Sequence, residues 1–319
     1  MARYRSRLPQ LSGEPFLTDG GIETTLIFHQ GFTLPEFASF VLFADPDGRA
    51  ALDAYFRGYA ALAREHGAGF ILESATWRAN RDWGDKLGYD AASLADVNRR
   101  AIGQLLEIRD EFGDGPPMVV SGCVGPRGDG YRLGTMMGAD EAADYHAAQI
   151  DVFAGTDADM VAAMTMNYAA EAVGIARAAQ GAAIPAAISF TVETDGSLPS
   201  GQGLAAAIAE VDAATDGYPA YYMINCAHPA HFAALLDGDA PSLARLRGLR
   251  ANASQKSHAE LDESDTLDAG DPDDLGRRYQ ALRLRHPGIN ILGGCCGTDL
   301  RHLEAICRAC LSVPKAARR

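Results

Sequence analysis

Two adjacent thiols on a glycine-rich turn, Gly293-Gly294-Cys295-Cys296-Gly297, are the residues of this chain best suited to chemistry. Disulfide geometry keeps bonded cysteines' Cα atoms well apart, so sequence neighbours do not readily bridge to each other. Two soft ligands on one flexible turn can instead point at one metal ion. A third candidate, Cys226, ends the apolar run Tyr221-Tyr222-Met223-Ile224-Asn225-Cys226. Three thiolates on one zinc leave a fourth coordination position open, the mark of a catalytic rather than a structural site. Such a sulfur-rich site suits the activation of a thiol better than that of water. A thiol with a pKa near ~8.5 is only a few per cent ionised at neutral pH, and metal ligation raises that fraction by roughly 30-fold, about 2 kcal/mol of barrier. Further acceleration must come from aligning the sulfur with an alkyl donor.

Something must bring residues 226 and 295–296 together. Eight short apolar runs recur along the chain, at 15–18, 69–73, 118–121, 160–164, 186–190, 221–225, 248–252 and 289–292. Alanine-rich segments with helical spacing lie between them, among them 52–66, 91–112 and 139–154. Asp45-Pro46 and Asp271-Pro272 read as a helix N-cap followed by a first-turn proline. Eight strands alternating with helices, with no break in composition, predict one domain over residues 1–319, a (β/α)8 TIM barrel. A doubly wound sheet is the alternative. In a barrel the chemistry sits at the carboxyl ends of the strands. Those positions hold Asp19-Gly20-Gly21, Ser74, Thr76, Gly122-Cys123, Asn225-Cys226 and the 293–297 turn. Long glycine-rich or acidic loops are expected at 125–138, 193–203 and 254–271.

The bulk numbers narrow the classes. At 319 residues and 47% hydrophobic, the chain can build a full core without staples. A formal charge of −14 and a pI near 4.9 argue against nucleic acid, whose phosphates demand a basic patch, and against an anionic membrane surface. No apolar run reaches the ~18 residues of a spanning helix, and no apolar signal core follows the basic start, Met1-Ala2-Arg3-Tyr4-Arg5. A cytoplasmic protein is expected, with its six cysteines serving as metal-binding or catalytic thiols before disulfides. Oligomeric state is left open.

Three motifs carry a resemblance: Asp19-Gly20-Gly21-Ile22-Glu23-Thr24, Asn225-Cys226, and Gly293-Gly294-Cys295-Cys296-Gly297-Thr298. The chain resembles the zinc-dependent homocysteine S-methyltransferases, over roughly residues 16–306. The resemblance implies a (β/α)8 barrel, Zn2+ held by Cys226, Cys295 and Cys296, and an acceptor thiol in the fourth position. By position, Asp19 matches the aspartate that meets the acceptor's amino group, and Gly20 offers backbone beside it. Ser74 and Thr76 match contacts to the acceptor carboxylate. Many relatives carry a glutamate at the end of strand four that also holds the ammonium; here Met164 stands in its place, and Glu171 lies further on in the next helix.

The expected reaction is methyl transfer from a small onium donor to a thiol, with homocysteine giving methionine as the leading case. A cationic donor would be received by aromatic faces, for which Trp77, Tyr131 and Tyr168 are candidates. The alternatives are another acceptor thiol, or a zinc lyase or hydrolase that recruits Asp19 or Glu23 as base. Cys307-Arg308-Ala309-Cys310 has CxxC spacing but lies in an amphipathic stretch, where i and i+3 share a face. His228 and His231 are assigned to the loop and helix after Cys226.

Overall fold

The computed structural model describes residues 1–311 apart from 263 and 265. Eight parallel strands close into a barrel in sequence order. They are β1 (Phe16–Leu17), β2 (Gly69–Glu73), β3 (Met118–Val124), β4 (Met160–Met166), β5 (Ala186–Phe190), β6 (Tyr221–Asn225), β7 (Leu246–Ala251) and β8 (Ile291–Gly294). Closure is the pairing of β1 with β8, Phe16 opposite Ile291 and Leu17 opposite Leu292. The doubly wound alternative is thereby set aside. Around the barrel run α1 (Pro46–Glu65), α2 (Arg81–Leu87), α3 (Ala91–Phe112), α4 (Ala139–Ala154) and α5 (Ala169–Gly181). They continue with α6 (Leu204–Thr215), α7 (Pro229–Leu236), α8 (His258–Asp262), α9 (Pro272–Arg285) and α10 (Leu300–Cys310).

The strands are apolar on both sides because both sides are covered, as parallel sheets require. Residues facing the helices, such as Leu17, Leu72, Val120, Ile188 and Leu249, join one large core. The alternate residues fill the barrel: Phe16, Ile71, Val119, Met160, Ala162, Tyr221, Met223 and Ile291. Helix starts follow local chemistry. Asp45 and Asp271 cap α1 and α9 by accepting from the Gly48 and Asp273 amides, each with proline in the first turn. Cys307 and Cys310 are buried on the inner face of α10, where they pack against the core.

The basic amino terminus closes the barrel's lower end. Leu8 and Tyr4 pack into the interior cluster. The Arg5 guanidinium donates to the carbonyls of Ala154, Thr156 and Ala158, three acceptors left at and just beyond the end of α4. Asp159, wholly buried before β4, accepts from the Tyr4 and Val120 amides and from Arg109 Nη1 at 3.1 Å.

Small differences from the sequence expectation have local causes. β8 starts at Ile291 rather than 289, because Pro287-Gly288 still turns the chain. β3 runs on to Val124, so Cys123 lies inside the strand and faces the barrel instead of following it. The loop at 254–271 contains α8, and within the acidic stretch 260–274, positions 263 and 265 lie outside the described residues. Among the described residues, no helix is long and apolar enough to cross a membrane.

Candidate metal centre and substrate cleft

Cys226 follows β6 and the Cys295-Cys296 pair follows β8, so both arrive at the same mouth. The three sulfurs all lie within 4.8 Å of one another. Cys226 and Cys295 are in disulfide contact, with Cα atoms 5.3 Å apart. Cys296, next in the chain after Cys295, brings the third sulfur to the same point. Three soft donors on one side, with a cleft on the other, fit a thiophilic divalent metal.

The local backbone is shaped to aim these sulfurs. Cys226 adopts φ 54° and Thr165, at a bulge in β4, adopts φ 64°, both left-handed and unusual for non-glycine residues. Asn225 ties the two together. Its Oδ1 accepts from the Thr165 amide at 2.9 Å and from Ser189 Oγ at 2.6 Å. Its Nδ2 donates to Thr165 Oγ1 at 2.8 Å and to Cys226 Sγ at 3.2 Å. The glycines before the doublet are demanded by packing. A Cβ on Gly293 would fall 1.8 Å from Thr18 Oγ1, and one on Gly294 would fall 2.1 Å from Thr298 Oγ1. With no side chain at either position, the Gly294 amide reaches Asp19 O and the Cys295 amide reaches Ala251 O, both at 2.9 Å.

A cleft of about 100 Å³ opens beside the sulfurs. Of the residues singled out in the sequence, Asp19, Gly20, Ser74, Trp77, Tyr131 and all three cysteines line it; so do Met164 and Cys123. The Tyr131 hydroxyl lies 3.3 Å from Cys226 Sγ and 3.5 Å from Cys296 Sγ. Trp77 is held by its Nε1 donating to Met164 O at 3.2 Å, and the Arg78 guanidinium covers its ring at 4.1 Å. Thr76 sits behind the wall: its hydroxyl donates to Cys123 O and contacts Ser74 Oγ at 2.7 Å, locking β2 to β3. Tyr168 stands outside the cleft before α5, where its hydroxyl accepts from the Met137 amide. Glu171 is also outside, paired with His146 at 2.9 Å and with the Arg127 amide. His228 caps α7, and burial, with Arg278 nearby, lowers its pKa to about 4.

Sequence reasoning missed two charges. Glu73 and Arg250 end or interrupt apolar strand runs, and both point inward to line the cleft. A lone charge at an inward position of an otherwise apolar barrel strand was the available signal. Arg250 Nη2 pairs with Asp19 Oδ1 at 2.5 Å, while Asp19 Oδ2 accepts from Tyr55 at 2.9 Å. Burial raises the Asp19 pKa, against the opposing pull of Arg250. Burial disfavours the Arg250 charge, but Asp19 and Glu73 more than offset it, so its pKa is raised.

Burial also lifts Glu23 and Glu73 from the ordinary 4.5 to about 7. Each then holds a proton in the folded chain at pH values where the unfolded chain has lost it. The stability this gives is complete below about 4.5 and is lost as pH rises through about 7. Metal-free Glu73→Gln protein, neutral at every pH, is expected to be more stable than the unaltered protein at pH 8 by on the order of 2 kcal/mol, with the gap closing towards pH 5. Parallel denaturation curves check this, and a gap independent of pH would contradict it.

Fold and site together define a (β/α)8 barrel with a three-sulfur centre and a small charged cleft at its carboxyl-end mouth. The family profile described as homocysteine S-methyltransferase matches residues 16–310. The chain belongs to that family, and it is a methyltransferase. It is 27% identical to homocysteine S-methyltransferase 4 of Zea mays over 267 residues, 77% of this chain and 76% of that protein. The homocysteine methyltransferase MmuM of Escherichia coli shares the fold. Its metallated form superposes with a TM-score of 0.70 at 20% identity, covering 92% of this chain and 96% of that one. Its oxidized form gives 0.69 at 21%, covering 92% and 94%.

Proposed function

We propose that this protein is a zinc-dependent S-methyltransferase that moves a methyl group from a small onium donor to homocysteine, giving methionine. The observation that carries this reading is the trio Cys226, Cys295 and Cys296, within 4.8 Å of one another beside a cleft sized for a small acceptor. Family membership supports homocysteine as the acceptor, and the name of the maize relative agrees with it. These three side chains would hold the metal. A zinc bound by three thiolates supplies an electron-rich position at which a fourth thiol loses its proton while keeping its nucleophilicity.

The remaining steps belong to the protein's own groups. Burial, then the neighbouring Cys296, raises the Tyr131 pKa, so its hydroxyl stays protonated and donates to Cys226 Sγ. Asn225 Nδ2 does the same for Cys226 and fixes its direction. Glu23, with its pKa near 7, lines the cleft and is poised to take the acceptor's proton on a carboxylate oxygen. Asp19, Gly20 and Ser74 wall the acceptor side, with Thr76 holding Ser74 in place. Trp77 and Tyr131 offer aromatic surface to a cationic donor. Arg78 covers one face of Trp77, while the Tyr131 hydroxyl reaches Cys226 Sγ at 3.3 Å.

The test is a mass-spectrometric screen of thiols against methylated sulfonium and quaternary ammonium donors, with and without chelator. Chelator-sensitive conversion of homocysteine to methionine by at least one onium donor is expected. Undiminished turnover by metal-free protein would refute the metal's role, and zinc-dependent hydrolysis without any thiol would favour another reaction.

A further inference from the structure

We propose that Arg250 is the receptor for the acceptor's carboxylate, so the site selects thiol carboxylates and treats the acceptor's amino group as secondary. The inference rests on the methyltransferase reading above and names what that site recognises. Arg250 is buried, 7% exposed, at the end of β7 in the cleft wall. Two of its nitrogens are engaged: Nη2 by Asp19 and Nε by Gly294 O at 3.3 Å. Its Nη1 makes no hydrogen bond to the described residues; its nearest acidic neighbour, Glu73 Oε2, stands off at 3.9 Å. A buried charged donor left unmade is costly, and a carboxylate is the ligand group that satisfies it best.

The other charges in the cleft point the same way. Asp19 is committed, with one oxygen on Arg250 and the other on Tyr55. Its capacity to hold an ammonium is reduced by a guanidinium at 2.5 Å. β4 contributes Met164 to the cleft, which carries no charge. An ammonium beside Arg250 would meet a like charge. Glu73 accommodates either kind of acceptor. Its Oε1 also lacks a partner among the described residues and can accept from an ammonium. With a pKa near 7 it can equally take a proton and sit beside a carboxylate at little cost.

The experiment uses zinc-loaded full-length protein and calorimetric titration with three thiols. They are homocysteine, 4-mercaptobutanoate, which lacks the amino group, and 3-aminopropane-1-thiol, which lacks the carboxylate. Losing the carboxylate is expected to weaken binding by at least ~30-fold and losing the amino group by less than ~5-fold, since a charge-assisted hydrogen bond outweighs one to an already compensated carboxylate. Arg250→Gln should erase the carboxylate preference while zinc content is unchanged, and Arg250→Lys should restore part of it. Equal binding of homocysteine and 3-aminopropane-1-thiol to the unaltered protein would overturn the proposal, whether or not the variants fold. So would a carboxylate preference that survives in folded Arg250→Gln. Failure to hold zinc, or to bind any thiol, would instead bring down the methyltransferase reading and this inference with it. Thiol binding without carboxylate dependence would overturn this inference alone.

Discussion

Cys296→Ala is expected to yield a folded barrel that loses its zinc and lowers methyl transfer by more than ~10³-fold, the combined loss of thiol ionisation and alignment. Cys296 is partly exposed after β8 and carries none of the core, so its removal leaves the scaffold intact. What it removes is one of three donors. Two thiolates hold a divalent ion far less tightly than three, and the acceptor would return to its few per cent of thiolate at neutral pH. Metal analysis and single-turnover assays on the same preparation check the two losses together. Cys123→Ala is the matched control. Cys123 lines the same cleft but lies outside the trio, and burial, with Glu73 nearby, raises its pKa far above the ordinary thiol range. That variant should keep a full equivalent of zinc. If Cys296→Ala keeps its metal and its turnover, the trio is not the reacting centre.

Asp159→Ala is expected to destabilise the protein by about 3–5 kcal/mol while leaving zinc content and turnover at permissive temperature intact. The carboxylate is wholly buried and serves three donors: the Tyr4 amide at 2.7 Å, the Val120 amide at 2.9 Å and Arg109 Nη1 at 3.1 Å. Alanine would strand a buried guanidinium and two backbone N–H groups. Each of these costs more unpaired than it returned when paired, so the penalty exceeds that of an exposed salt bridge. Asp159 precedes β4, at the end of the barrel opposite the cysteines, so the chemistry should be spared. In a chain of this size the melting temperature should fall by on the order of 10 °C. Thermal denaturation beside activity at low temperature separates the two effects. An unchanged melting temperature would show that Asp159 does not tie the amino terminus and α3 to the barrel.

The sequence by itself determined the architecture and the sulfurs. Alternation of apolar runs with helical segments is a local property, and each run became a strand within a few residues of its expected bounds. The glycine-flanked doublet, Cys226 and Asp19-Gly20-Gly21 were visible because strand order in a barrel sends every carboxyl end to one face. Only the tertiary structure decided how the cleft is charged. Asp19 and Arg250 are 231 residues apart, and their pairing depends on β1 closing onto β8, with β7 alongside. Likewise, no local pattern announced that Thr76 would be spent behind the wall, or that Tyr131 would come over two of the sulfurs. The reason is physical. Periodicity encodes which side of a strand is apolar, but the partner of a buried charge is set by the stagger of strands around the closed barrel, which appears only when all eight have met.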